Sequence, residues 1–383
     1  MDVSQVYHMN EYAGNRYKVI TGLQDNGIKY REIADSNFVH MFGADGFDGS
    51  FVANTPDTYY YTINQTARRG TYSTGTSVSI EPPGTNNWYM LAQAHPTDPN
   101  IVFVGTDDIY KSIDQGSTWT NEAASASWTM AFAPSDPTRM YAAGATSYNA
   151  NNNGDIYYSS NSGDTWITIS PSTFPSNTTW TKITDIAVKK TDPTNVYATF
   201  GGFNAGTKVV FSANSGVTWS NFSYDLPNIP INCVAVASNK VYVGTDSGVY
   251  RRTFGTSTWV NVSDNLPNVP VTDIYIDETQ GKMRISTFGR GIWQLDYCVN
   301  DINLTAKQEG TLEYKANNLL TATTEIPGDM ENDVLYTANG KVELKPGFKA
   351  LSGSKFIAKH DVCDNPAQPF QDGKEGDGAT IKQ

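Results

Sequence analysis

The octapeptide SIDQGSTW, residues 112–119, is the most informative part of the sequence, because it returns along the chain with the same serine, glycine, threonine and tryptophan positions. The second copy is SSNSGDTW at 159–166, the third is SANSGVTW at 212–219, and a degraded fourth copy keeps Thr258 and Trp259. Their tryptophans lie 47, 53 and 40 residues apart. This spacing suits one four-stranded sheet per repeat.

The residue types of this octapeptide indicate a structural motif. An Asp or Asn at its third position can bond to nearby backbone groups, and its glycine can take a positive φ in a tight turn. The final tryptophan is large enough to pack between neighbouring sheets. We therefore expect a structural role for the Asp or Asn and the Trp of each full copy: Asp114, Trp119, Asn161, Trp166, Asn214 and Trp219.

Two other recurring pieces extend the repeat to parts of the chain that lack the octapeptide. One is an apolar strand closed by Asp-Pro, and the other is a strand that ends in Gly and a short polar turn. Alignment on these pieces divides the chain into seven units: 1–42, 43–86, 87–126, 127–178, 179–228, 229–268 and 269–297. The sequence therefore predicts an all-β protein, with a seven-bladed β-propeller over 1–297 followed by a small β-stack domain.

Composition excludes several classes of protein. The 383 residues are 39% hydrophobic, 12% aromatic and 17% charged, which is typical of a folded, β-rich chain. The net charge of −12 would repel a phosphate backbone, so we expect no nucleic-acid partner. Neither a transmembrane run nor a secretory signal is visible, so we expect a cytosolic protein or one whose export signal is missing from this sequence.

The octapeptides resemble Asp-box (BNR) repeats, which occur in sialidases, sortilin-type receptors and xyloglucanase-type glycoside hydrolases. The resemblance covers residues 1–297, and the segments 22–27, 43–49 and 286–293 look like those of secreted bacterial sortilin-like or glycosyl-hydrolase propellers. It implies a propeller, but enzymes and binding proteins share this repeat.

The C-terminal region has a resemblance of its own. Residues 298–364, through NGKVELKPGFKA at 339–350, are similar to the small "coathanger" β module that follows such propellers. The tail 365–383 is rich in Gly, Asp, Lys and Gln, and we expect it to be flexible or held by a neighbour.

The three cysteines suggest an oxidising location. Cys298 and Cys363 bracket the C-terminal module, and we predict a disulfide between them, with three unpaired thiols as the alternative. Cys233 lies alone in an apolar run, and we expect it to be free and buried. The disulfide would place the protein in the extracytoplasmic space, secreted or on the cell surface.

Catalytic chemistry has one candidate in the sequence. The loop GADGFDG at 43–49 carries Asp45 and Asp48, which could form part of the carboxylate pair of a glycoside hydrolase, or could simply cap a glycine-rich turn. Xyloglucanase-type enzymes place their acid and base between two propellers, and this chain has room for one. Arginines are too few for a sialidase, and the four histidines lack metal-ligand spacing, so we expect no metal and no cofactor.

A more repeated signal for ligand binding is aromatic. Trp88, Trp128 and Trp180 stand just ahead of three successive inner strands, where they could form a platform for a sugar ring or an apolar peptide side chain. The alternative is that they pack between blades. We therefore predict a secreted or surface module that binds a glycan or a protein through the propeller face. A glycoside hydrolase and an architectural part of a longer surface protein are the other two interpretations.

Overall fold

The computed structural model describes residues 4–12, 15–32, 38–84, 86, 88–122, 129–144, 155–169, 182–203, 205–263, 265–278, 281–297, 299–305, 307–308, 311–328, 332–360 and 368–369. Every regular element in these ranges is a β-strand. The chain divides into two compact units, one formed by 1–275, 285–293 and 369–383 and the other by 276–284 and 294–368. None of the described segments forms a helix long and apolar enough to cross a membrane.

Seven four-stranded sheets follow one another along the chain, which confirms the predicted seven-bladed β-propeller. The first six are antiparallel, with neighbouring strands joined in chain order. In order, the sheets contain β1 (Val6–Tyr12), β2 (Asn15–Leu23), β3 (Gly27–Arg31) and β4 (Val39–Phe42); β5 (Gly46–Phe51), β6 (Thr58–Ile63), β7 (Thr66–Thr71) and β8 (Thr76–Ser79); β9 (Leu91–Ala94), β10 (Val102–Gly105), β11 (Ile109–Ser112) and β12 (Thr120–Asn121); β13 (Thr129–Phe132), β14 (Met140–Gly144), β15 (Asp155–Ser159) and β16 (Ile167–Ile169); β17 (Ile183–Val188), β18 (Val196–Phe200), β19 (Val209–Ser212) and β20 (Ser220–Asn221); β21 (Ile231–Ala237), β22 (Lys240–Thr245), β23 (Gly248–Thr253) and β24 (Trp259–Asn261); and β25 (Val271–Asp277), β26 (Lys282–Thr287) and β27 (Ile292–Asp296), with β35 (Gln368–Pro369) as the fourth strand.

The octapeptides form identical tight turns in the third, fourth and fifth sheets. In the fourth sheet the Ser159 hydroxyl accepts the Gly163 N–H at 2.9 Å, and the Asn161 amide oxygen accepts the Thr165 N–H at 3.0 Å. The other two copies repeat both bonds within 0.3 Å of these lengths. Local hydrogen bonds of this kind satisfy the turn without help from the rest of the chain.

Each of these turns also packs against the preceding sheet. The glycine, at a φ of +80° in Gly163, lies so close to that sheet that an added Cβ would be 2.5 Å from the Phe103 ring. Gly116 and Gly216 approach Ile80 and Ile169 in the same way. The octapeptide tryptophans contribute to the apolar clusters between the same pairs of sheets. The motif therefore joins adjacent blades, and only glycine fits its closest point of approach.

The second unit contains a different kind of sheet. Its strands are β28 (Val299–Leu304), β29 (Thr311–Ala322), β30 (Glu325–Ile326), β31 (Asp333–Ala338), β32 (Lys341–Leu344), β33 (Lys349–Ala350) and β34 (Lys355–His360). Strands β28, β29, β31 and β34 pair in parallel, with β32 also beside β29, and β30 pairs with β33. Tyr314, Tyr336 and Phe356 come from successive strands and pack ring against ring at 5.8 and 5.0 Å. Tyr314 and Tyr336 are buried in this aromatic column, and Phe356 is partly buried.

The cysteine predictions have different outcomes. Cys233 is free and 2% exposed, as expected. Cys298 and Cys363 lie outside the described residues, so their disulfide stays a prediction.

Candidate functional site

The propeller contains a partly open cavity of about 190 Å3 between the first strands of its sheets. Its wall contains side chains from β1, β5, β9, β13, β17 and β25, together with Tyr89 just before β9. Because the first strands of consecutive sheets lie next to one another, residues distant in sequence meet here. The wall residues are His8, Met9, Asn10, Asp48, Tyr89, Leu91, Gln93, Thr129, Met130, Asp185, Asp273 and Tyr275.

Three aspartates of this wall have the same hydrogen-bond geometry. In Asp48, Asp185 and Asp273, one carboxylate oxygen accepts the N–H of the next residue at 2.8 Å. The other oxygen accepts a backbone N–H from the first strand of the following sheet, at 2.9 to 3.1 Å. For Asp273 that N–H belongs to Met9, so this bond connects the last sheet to the first. Each carboxylate thus joins two blades and still borders the cavity.

His8 is the cation of the cavity. Its Nδ1 lies 3.4 Å from a carboxylate oxygen of Asp273, and 36% of its side chain is exposed, at the cavity wall. Loss of hydration lowers the pKa of His8, but the hydrogen bond and charge of Asp273, with the charges of Asp48 and Asp185, raise it further, to about 9. The ring is therefore an imidazolium at neutral pH.

Burial shifts the pKa values of two aspartates upward, because nearby hydrogen bonds and charges offset only part of the lost hydration. Burial raises the pKa of Asp185 to about 6, against the opposing effects of the Val234 N–H, the Thr129 hydroxyl and His8. Burial also raises the pKa of Asp48, which is 4% exposed. The cavity wall therefore carries three carboxyl groups and one imidazolium.

Four aromatic side chains lie together beside this cavity, and we call Tyr7, Phe47, Trp88 and Phe288 the aromatic rim. The Phe47 ring, which is fully buried, meets the Trp88 ring edge to face at 4.8 Å and the Tyr7 ring at 5.4 Å. Tyr7 also contacts Phe288 at 5.8 Å. The Trp88 side chain is 49% exposed. Tyr89 connects the rim to the cavity, because its ring lies 5.5 Å from Phe47 and 6.0 Å from His8.

The structure separates the two aspartates of the 43–49 loop. Asp48 lines the cavity, whereas Asp45 lies in the preceding turn, where its carboxylate accepts the Asp25 N–H at 2.8 Å and its own N–H bonds to Asn64. Of the three inner-strand tryptophans, Trp88 belongs to the rim. Trp128 and Trp180 lie outside the described residues.

Sequence reasoning missed His8, Tyr89, Asp185 and Asp273. The histidine looked isolated because its carboxylate partner comes from the other end of the propeller. A signal for the two aspartates does exist, since Thr-Asp-Ile occurs at 184–186 and again at 272–274, each time at the start of a first strand. In the part of the chain that the structure describes, no three His, Cys, Asp or Glu side chains are arranged to hold a metal ion.

Comparisons with known proteins support the fold only. No family model and no curated protein matches the chain. Among solved structures, the GH74 enzyme of Niastella koreensis is 16% identical with a TM-score of 0.53, and the match covers 76% of this chain and 43% of that one. The extracellular domain of the putative one component system BT4673 from B. thetaiotaomicron is 13% identical with a TM-score of 0.56, over 78% and 39% of the two chains.

A third structure is closer to this chain in length. YCF48 bound to D1 peptide is 15% identical with a TM-score of 0.54, and the match covers 77% of this chain and 92% of that one. The chain spans less than half the length of the GH74 and BT4673 structures that it matches. At these identities the likeness shows a shared β-propeller fold.

Proposed function

We propose that this protein is an extracytoplasmic binding module whose ligand, a glycan or a protein segment, contacts the aromatic rim and reaches into the adjacent cavity. The observation that carries the proposal is Trp88, an indole that is 49% exposed and held in place by buried Phe47. Large aromatic side chains that stay exposed beside a cavity commonly mark a binding site.

The rim is suited to binding because it is already ordered. Phe47 is fully buried, and its contacts with Tyr7 and Trp88 restrict the motion of both rings. A ligand that stacks on Trp88 would therefore lose little free energy to the ordering of protein side chains. An indole face accepts either the apolar face of a sugar or an aliphatic peptide side chain, so the rim by itself supports both ligand classes.

The solved structures support such a use of the fold. YCF48 carries a bound peptide on a propeller of similar length, and the BT4673 structure is an extracellular domain. We extend both features to this chain as part of the proposal, and place it outside the cytoplasm.

Substitution of Trp88 tests the proposal. A glycan array and a panel of short peptides would identify ligands of the wild-type protein, and Trp88→Ala should weaken binding at least tenfold, in line with the loss of an aromatic anchor. Phe203→Ala is a matched control, because Phe203 is 71% exposed in the loop between β18 and β19 and does not belong to the rim. Equal binding by the wild type and Trp88→Ala would refute the rim as the contact site.

Glycoside hydrolysis is the second candidate. What favours it is the presence in one cavity of Asp185, whose pKa burial raises to about 6, and Asp48, a combination that could supply an acid and a base. Against it, both oxygens of Asp48 already accept backbone N–H groups. Hydrolysis of β-glucans that is lost in Asp48→Asn or Asp45→Asn would establish glycoside hydrolase activity. If the protein neither binds nor hydrolyses any glycan or peptide tested, an architectural role is favoured.

A further inference from the structure

We infer that the group which the ligand inserts into the cavity is a primary ammonium on an aliphatic stem, as in a lysine side chain, so that the ligand is a basic protein segment. This inference rests on the proposed binding function and specifies its ligand class. It comes from the cavity behind the rim, whereas the proposed function comes from the rim itself.

The charges of the wall select a cation. Asp48, Asp185 and Asp273 border the cavity, and His8 is paired with Asp273. No lysine or arginine is present among the described residues that line it. An entering ammonium would compensate the negative charge that the single imidazolium of His8 leaves unbalanced, whereas a neutral sugar hydroxyl would not.

The size and remaining walls select an aliphatic stem. The volume of about 190 Å3 is below the roughly 300 to 1000 Å3 of pockets that enclose whole small-molecule ligands, so a single side chain suits it better. Leu91 and Met130 offer apolar surface to methylene groups. Tyr89 adds an aromatic ring between the rim and the cavity, and aromatic faces attract ammonium groups.

The protonation states of the wall make the inference testable by pH. Asp185 faces His8, Asp273 and the Thr129 hydroxyl. The other titratable groups around them are Asp48, the Tyr89 and Tyr275 phenols and the Cys233 thiol. His8 keeps its proton between pH 5 and 7, because its pKa is about 9. Asp185 gains a proton over that range as the pH falls, because its pKa is about 6. Binding of an ammonium should therefore weaken from pH 7 to pH 5.

The probes are three tripeptides, acetyl-Phe-X-Phe-amide, in which X is lysine, norleucine or glutamate. Norleucine keeps the aliphatic stem and lacks the charge, and the phenylalanines offer contacts to the rim. We expect the lysine peptide to bind at least tenfold more tightly than the norleucine peptide at pH 7, and the glutamate peptide to bind most weakly. The lysine preference should shrink severalfold at pH 5.

Three variants assign the preference to the cavity. Asp185→Asn removes one of the three negative charges of the cavity wall, so the lysine preference should fall severalfold. Asp155→Asn is the control, because it removes a negative charge from the propeller at a residue that does not line the cavity, and the preference should persist. Trp88→Ala should weaken the lysine and norleucine peptides by the same factor.

The outcomes separate the two proposals. Equal binding of lysine and norleucine peptides to the wild type, which requires no variant, would overturn the cation inference and leave the rim proposal standing. If none of the three peptides binds, the cation inference is also overturned, and the glycan array and peptide panel would then decide the proposed function independently. If Asp185→Asn does not fold, Asp48→Asn and the wild-type comparison carry the test.

Discussion

Replacement of Gly163 by alanine would test whether the octapeptide joins adjacent blades. Gly163 has a φ of +80°, and its added methyl group would lie 2.5 Å and 2.9 Å from two carbons of the Phe103 ring. Phe103 is fully buried in the cluster between the third and fourth sheets, so its ring cannot move aside freely. The substitution therefore combines backbone strain with a collision between two blades.

The two effects can be separated by magnitude. A left-handed backbone conformation costs a residue other than glycine about 1 to 2 kcal/mol, partly offset because alanine restricts the unfolded chain by about 0.4 to 1 kcal/mol. Overpacking of a buried ring adds about 1 to 3 kcal/mol. Gly163→Ala should thus lower the free energy of unfolding by about 2 to 4 kcal/mol.

Gly255→Ala is the matched control. Gly255 has a φ of +81°, nearly that of Gly163, but no atom lies within 4 Å of the position of its Cβ. Gly255→Ala should therefore lower the free energy of unfolding only by the cost of the backbone conformation, about 1 kcal/mol. Urea unfolding followed by circular dichroism and tryptophan fluorescence would give both values, provided that the two signals change together. Equal destabilisation by the two substitutions would show that the turn does not press against Phe103, and would refute its role between blades.

Three further predictions concern single side chains. Trp166→Ala should destabilise the propeller by about 3 kcal/mol in the same urea assay, because the indole packs between blades and its N–H donates to the Gly163 carbonyl at 3.1 Å. Unchanged stability would contradict the structural role of Trp166. The pKa of His8 is raised to about 9 from 6.5, so the contribution of His8 to stability should be complete below pH 6.5 and disappear as the pH rises through 9. NMR titration of the imidazole should show this pKa, and Asp273→Asn should lower the pKa of His8. Burial raises the pKa of Cys233 well above its usual range, so iodoacetamide should modify this thiol only in unfolded protein. Peptide mass mapping would detect the modification, and rapid modification of the native protein would place the thiol at an accessible surface.

Part of the candidate site could be predicted from the sequence. Trp88 was identified because it precedes an inner strand, and Asp48 because it lies among glycines, and both lie at or beside the cavity. Their separate roles were not visible. The Asp48 carboxylate accepts a hydrogen bond from the Ala92 N–H in the next blade, and no local sequence pattern indicates that contact.

The octapeptide turn can be predicted from local sequence alone. Its glycine N–H donates to its serine and its threonine N–H donates to its asparagine, all within eight residues, so their spacing alone predicts the turn and, through repetition, the blades. The cavity depended on the tertiary structure, because His8 and Asp273 stand at opposite ends of the propeller sequence and meet only when the last sheet closes on the first. Their pKa values and charge balance follow from burial and from neighbours on other blades. This difference arises because a hydrogen-bonded turn is a local property of the chain, whereas the electrostatics of a cavity depend on every strand that surrounds it.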